Sequence, residues 1–301
     1  MTMKPFAYAA PKTVEEAVSL LADKGTRARP LAGGTDLLVQ LRQRRYDLDL
    51  LVDVKRIPDL LRLAYDPQQG LTVGAAVTCA MLAENPDVRA HYPALIDAAT
   101  IIGGAAIQER ATLGGNLCNA APSGDTIPAM IVLDGEVVVA GPEGRRQVPV
   151  AAFCTGPGQT VLQRGELVVA FHFAVPHPHT GAAYERFIPR GEMDIAVAGA
   201  GTWVALAFQT GAQVEIKDAR IALSAVAPTP LFVDAAGAAL IDRVPTEAVL
   251  AEAARAAQAA ACPINDTRGT AAQRRHLVEV LVKRTLRTTI ARAGAQIPEE
   301  V

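Results

Sequence analysis

Apolar positions recur with two different periods along this chain, and the changes of period locate its elements. Val14, Ala17, Val18 and Leu21 fall on one helical face. They follow Thr13-Val14-Glu15-Glu16, which has the Thr and Glu of a capping box, and Gly25 stops the run. A short strand is predicted at 29–31. Then come Ala32-Gly33-Gly34-Thr35-Asp36, a helix through Leu37, Leu38 and Leu41, and a strand at 48–54. This is a β–loop–α–β unit in which Thr35 or Asp36 caps the helix. Further strands are predicted at 71–75, 136–140 and 166–175, the last with Leu167, Val169, Phe171 and Phe173 pointing one way. Thr78 caps a short helix, Pro93 opens a helix to Ile101, and Asp125 or Thr126 begins one ending near Leu133. Pro176-His177-Pro178-His179-Thr180-Gly181 marks a junction, dividing the chain into 1–176 and 177–292, with a further division near residue 55. Strands at about 199–208 and 212–227 precede helices at 246–261 and 270–292. The last helix carries Leu277, Val280, Leu281 and Leu286 on one face, with Arg and Lys opposite.

Composition narrows the function classes. The 301 residues suffice for two domains at ~150 residues each. Lys plus Arg is 29 against 31 for Asp plus Glu, a net charge of −2, which excludes nucleic-acid binding driven by bulk charge. Aromatics at 4% argue against a base-stacking surface. No apolar run reaches the ~18 residues of a membrane span, and Met1–Ala10 lacks the apolar core of a signal peptide, so the expected location is cytoplasmic. Cys79, Cys118, Cys154 and Cys262 form no C-x-x-C pair. They are expected to be free thiols, with neither zinc nor an iron–sulfur cluster in this chain.

The candidate chemistry lies in two glycine pairs. One is Gly33-Gly34 before Thr35-Asp36; the other is Thr112-Leu113-Gly114-Gly115-Asn116, with Asp125 further on. Glycine admits positive φ and close approach of backbone N–H groups to an anion, so two such loops could face a pyrophosphate. Taken alone, each pair reads more readily as a tight turn. Neither matches the Rossmann or P-loop spacing. His172, His177 and His179 read as a surface loop rather than a metal site. Arg42, Arg44 and Arg45 read as a solvated helix end, and no Ser-His-Asp signature is present.

Taken in order, Leu31-Ala32-Gly33-Gly34-Thr35-Asp36-Leu37-Leu38 and the stretch from Ala111 to Thr126 resemble the FAD-binding (medium) subunits of the molybdenum hydroxylases. That group includes carbon monoxide dehydrogenase medium chains and xanthine dehydrogenase FAD subunits. The resemblance continues through Tyr184-Glu185-Arg186-Phe187, Arg190 and Asp194-Ile195-Ala196. It implies an α+β, p-cresol methylhydroxylase-type fold: two α/β subdomains clamping FAD, then a C-terminal domain with a small sheet and helices. By the same resemblance, Ala32, Gly33, Gly34, Thr35 and Asp36 wrap the pyrophosphate with Thr112, Gly114, Gly115 and Asn116. Asp125 accepts bonds from the nucleotide half, Ile102 and Val168 lie beside the flavin, and Arg186 lies near its polar edge. Arg186 stands where many members have Lys, and Gln108-Glu109-Arg110-Ala111 where many have a Val-Arg-Asn type sequence. The implied function is electron transfer from [2Fe–2S] clusters on a small partner subunit, fed by molybdopterin on a large one, through FAD to an external acceptor. The alternatives are a stand-alone oxidoreductase like UDP-N-acetylenolpyruvylglucosamine reductase and a non-catalytic flavin-binding protein. A Cβ-branched residue at Gly33 or Gly115 is expected to block FAD while sparing the fold.

Overall fold

Three short segments pair in parallel: β1 (Ala7–Ala9), β2 (Ala28–Leu31) and β3 (Leu50–Asp53), in the order β1-β3-β2. Parallel neighbours need crossovers. α1 (Val14–Lys24) joins β1 to β2, and α2 (Leu37–Arg42) joins β2 to β3. Thr13 Oγ1 accepts from Glu16 N at 3.1 Å and so starts α1. The Glu16 carboxylate takes its bond from Lys12 N instead of Thr13 N, closing the cap one residue earlier than a capping box would. The structure is a computed structural model and describes residues 4–208 and 214–297.

The second lobe begins with α3 (Pro58–Leu61), β4 (Leu63–Asp66) and β5 (Gly70–Gly74). A run of short helices follows: α4 (Cys79–Glu84), α5 (Pro86–His91), α6 (Pro93–Ala99), α7 (Ala105–Gln108), α8 (Leu113–Asn119) and α9 (Thr126–Val132). Then come β6 (Glu136–Gly141), β7 (Gly144–Pro149), the small hairpin β8 (Cys154–Gly156) and β9 (Gln159–Thr160), and β10 (Leu167–Phe173). The antiparallel sheet runs β4-β5-β10-β6-β7. Being central, β10 is covered on both faces, and only His172 escapes full burial, so the one-sided alternation expected for it does not hold. Its register with β6 shifts between Val168 and Ala170, leaving Val169 unpaired in that ladder. His172 stands in this strand, with Nδ1 3.1 Å from Thr72 Oγ1, and not in a loop.

The third sheet is a meander of β11 (Thr180–Phe187), β12 (Ala198–Phe208), β13 (Val214–Ser224) and β14 (Leu231–Phe232). Residues 212 and 213 of the strand predicted there lie outside the described residues. Thr180 and Gly181, expected in the junction, already belong to β11. α10 (Asp234–Ala238), α11 (Glu247–Ala260) and α12 (Ala271–Arg292) follow it. α12 turns a different face inward from the one expected: Val278, Leu281, Val282, Leu286 and Ile290 are buried together with Arg274, Thr285 and Thr289, while Leu277 and Val280 are half-buried. The buried stripe includes polar residues because they find partners there. Arg274 donates to both Asp266 oxygens at 2.8 Å and to the Val197 carbonyl at 2.6 Å; Thr289 and Thr202 hydroxyls meet at 2.6 Å.

Two large cores result. One centres on the second sheet and extends to Ala182, Tyr184 and Ala222 of the third; the other is built within 198–295. Arg292 ties them, donating to Asp97 at 2.6 and 2.9 Å and to the Ala182 carbonyl at 2.7 Å. Among the described residues, no helix is long and apolar enough to cross a membrane.

Candidate functional site

The loop after β2 is pressed against the chain that precedes α8. A Cβ at Gly33 would lie 1.9 Å from the Arg110 carbonyl oxygen, so only glycine fits. Gly34 has φ of 78°, which a side chain would strain. Asp36 occupies the N-cap position of α2 with helical angles, φ −94° and ψ −50°, and makes no capping bond. A capping side chain bonds from extended angles, so the capping role expected of Thr35 or Asp36 is not realised. Separately, among the described residues, no backbone N–H from Gly33 to Asp36 has a protein acceptor. Consecutive free N–H groups of this kind form an anion-binding concavity.

The second glycine pair lies in a helix, not a loop. Thr112, with extended angles, caps α8 and accepts from Gly115 N at 2.9 Å. Gly114 packs within the second lobe against the end of β5, where a Cβ would come within 2.5 Å of the Ala75 carbonyl. Gly115 is exposed, and a Cβ there would meet only Thr112 Oγ1, at 3.0 Å. Asn116 Oδ1 accepts from Thr126 Oγ1 at 2.8 Å and holds α8 to α9. Asn119 Oδ1 accepts from Gln40 Nε2 at 2.9 Å and holds α8 to α2.

Between these segments runs a cleft of about 650 Å³. Ala32, Gly33, Gly34, Thr35, Asp36, Ile102, Thr112, Gly114, Gly115, Asn116 and Val168 all line it. Sequence reasoning missed Arg29, Tyr46 and the stretch from Gly158 to Leu167, which forms the far wall. The Gly156-Pro157-Gly158 turn was the available signal for that wall.

Asp125 and Arg186 are not among the lining residues. They form a buried ion pair with each other. Tyr184 Oη donates to the other Asp125 oxygen at 2.8 Å, and Arg186 also donates to the Ile101 carbonyl at 2.6 Å. Two charges buried side by side satisfy one another, so each is engaged with the other and with its neighbours. Their reach into the cleft is through Ile101, the neighbour of Ile102. Burial pushes the Asp125 carboxyl above its ordinary range, against the pull of Arg186 and Tyr184. Burial and the Asp125 charge hold the Tyr184 phenol well above its own.

A parallel βαβ lobe thus faces an antiparallel one across a glycine-lined cleft able to receive a phosphate-bearing ligand. The profile of the FAD binding domain in molybdopterin dehydrogenase matches residues 4–178, and that of the CO dehydrogenase flavoprotein C-terminal domain matches 182–289. The chain is 34% identical over 291 residues to the carbon monoxide dehydrogenase medium chain of Hydrogenophaga pseudoflava, covering 96% of this chain and 98% of that one. It is 31% identical over 292 residues to the xanthine dehydrogenase FAD-binding subunit of Escherichia coli O157:H7, covering 97% and 98%. A solved structure of carbon monoxide dehydrogenase from H. pseudoflava, lacking the Mo-pyranopterin moiety of its cofactor, superimposes with a TM-score of 0.91 at 34% identity over 97% of this chain and 99% of that one. The chain therefore belongs to the FAD-binding subunits of the molybdenum hydroxylase family, oxidoreductase flavoproteins of α+β fold.

Proposed function

We propose that this chain is the electron-transfer subunit of a molybdenum hydroxylase complex. Electrons would arise at molybdopterin on a large partner subunit, pass through [2Fe–2S] clusters on a small one, and leave through FAD held here to an external acceptor. The observation that carries the reading is the run of unpartnered N–H groups from Gly33 to Asp36, opposite the open Gly115 in one cleft. Such groups bind phosphate oxygens. When bound, FAD supplies the redox chemistry, taking electrons singly or in pairs.

This chain's own residues bind and orient. Ala32–Asp36, with Thr112, Gly114, Gly115 and Asn116, hold the pyrophosphate. Ile102 and Val168 bound the flavin ring with apolar surface. Asp125, Tyr184 and Arg186 fix the segment that carries Ile102. The route calls for no general base.

The purified chain is expected to release FAD on acid precipitation and to take it up again on neutralisation. Partner subunits alone should reduce a dye that intercepts electrons upstream, and should fail with a flavin-dependent acceptor until this chain is restored. Turnover of the organic substrate by this chain alone would overturn the reading.

A further inference from the structure

We propose that the outer face of α2, with the turn that ends it, docks an acidic surface of the small [2Fe–2S] partner subunit. The assignment rests on the reading of this chain as one member of a complex, and it places a contact outside the FAD cleft.

α2 has two unlike faces. Leu37 and Leu41 pack inward with Phe6, Leu48 and Leu51. Outward, Leu38 is 40% and Val39 49% exposed, and Arg42, one turn on from both, is exposed beside them. The chain then turns at Arg44, with φ of 58°. Arg45 N donates to the Gln40 carbonyl at 2.9 Å and Arg44 N to the Leu41 carbonyl at 3.0 Å. Glycine takes this left-handed helix end without strain. Here an arginine stands in it, and Gln43, Arg44 and Arg45 are all exposed.

The backbone closes this helix end, and none of the three guanidinium groups serves as a cap. Among the described residues, Arg42, Arg44 and Arg45 have no ion-pair partner. The carboxylates that follow them, Asp47 and Asp49, are held by Lys4 and Arg27. Elsewhere exposed arginines meet carboxylates of this chain: Arg145 meets Asp59, Arg243 meets Glu252 and Arg287 meets Glu247. Three unpaired arginines around two exposed aliphatic side chains match the composition of a protein contact, where arginine and apolar groups carry the binding. Its complement is a surface with carboxylates around an apolar centre. The proposed electron route puts the [2Fe–2S] subunit next to this chain, whereas the large subunit need not touch it. Leu38, Val39, Arg42, Arg44 and Arg45 are not among the residues lining the cleft, so docking is separable from FAD binding.

The test measures association of the FAD-loaded chain with the partner subunits, isolated without it, at several salt concentrations. Arg42→Glu combined with Arg44→Glu should weaken association roughly ten-fold or more and flatten its salt dependence, with FAD uptake unchanged. Arg44→Gly should weaken it less and melt at or above the wild-type midpoint, which separates docking from folding. Arg42→Lys combined with Arg44→Lys should keep most of the association. A carbodiimide should then couple the new amines to partner carboxylates, and mass spectrometry identifies the partner. Coupling of residue 42 or 44 to the small subunit is expected; coupling to the large subunit, to a second copy of this chain or to neither overturns the assignment. Association of the Glu variant at wild-type strength overturns it too, as does weaker association with the wild-type salt slope. Should the Glu variant not fold, Arg44→Gly carries the test, and full association in it overturns the assignment. In all these cases the wild-type chain still binds its partners and the complex reading stands. A wild-type chain that binds no partner overturns both.

Discussion

The two glycine pairs look alike in sequence and serve different physical ends. Gly33-Gly34 is an irregular loop in which one glycine admits a backbone contact and the other a positive φ. Gly114-Gly115 sits in the first turn of a capped helix, where one glycine admits the Ala75 carbonyl and the other stands open to the cleft. Three of the four are therefore required by the protein's own packing or backbone, and only Gly115 is left free for a ligand. A glycine motif read as one device is here a mixture of three fold requirements and one position open to the cleft.

Substitutions separate these roles. Gly33→Val should cost most, about 3 kcal/mol or more, because the overlap is with backbone that cannot turn aside. A drop in denaturant midpoint measures it, and an unchanged midpoint would dissolve the contrast. The expectation that this variant keeps its fold and loses only FAD is thereby corrected: the nearest atom is protein. Gly114→Ala should cost about 1–3 kcal/mol through Ala75, and Gly34→Ala about 1–2 kcal/mol through its φ. Gly115→Ala should leave stability within about 1 kcal/mol, since the gain in helix propensity offsets the tight contact with Thr112. Of the four it should lose the most FAD affinity relative to its stability change, as read by flavin titration beside thermal melts.

A smaller effect should come from acid. Arg146 holds the Glu166 carboxyl below its ordinary range, and Arg274 does the same for Asp266. Folded values below unfolded ones mean that the stabilisation is present above the ordinary carboxylate range and is lost as pH falls through the folded values. Both groups are partly exposed, so each contributes modestly. Thermal midpoints should decline below about pH 4.5, and Glu166→Gln should blunt that decline without touching either glycine pair.

The pattern of apolar residues made the βαβ unit legible, because α1 follows the helical period and β3 opens with an unbroken apolar run. The two glycine pairs, together with the family resemblance, pointed to the residues that converge on the cleft. Other features were hidden for stated reasons. α8 contains two glycines within seven residues, so propensity argued for a loop; the Thr112 cap and tertiary packing prevail. β1 and β4 are short, and β4 and β7 are edge strands carrying polar residues, which blurs alternation. The inward face of α12 escaped because Arg274 and Thr289 were counted as polar, and their partners Asp266 and Thr202 are distant in sequence. Asp125 and Arg186 are 61 residues apart, and nothing local announces their pairing.

The first core does not stop at the junction: Ala182, Tyr184 and Ala222 from beyond it pack among residues of the second sheet and its helices. Tyr184 reaches back to Asp125 while also bonding Ser224, at 3.2 Å. Chimaeras spliced between relatives at this junction would consequently behave as multiple core replacements, with unmatched side chains meeting across the seam. Recombination during evolution would face the same obstacle. A changed side chain in the first core would have to be matched by the third-sheet residues that meet it, Ala182, Tyr184 and Ala222.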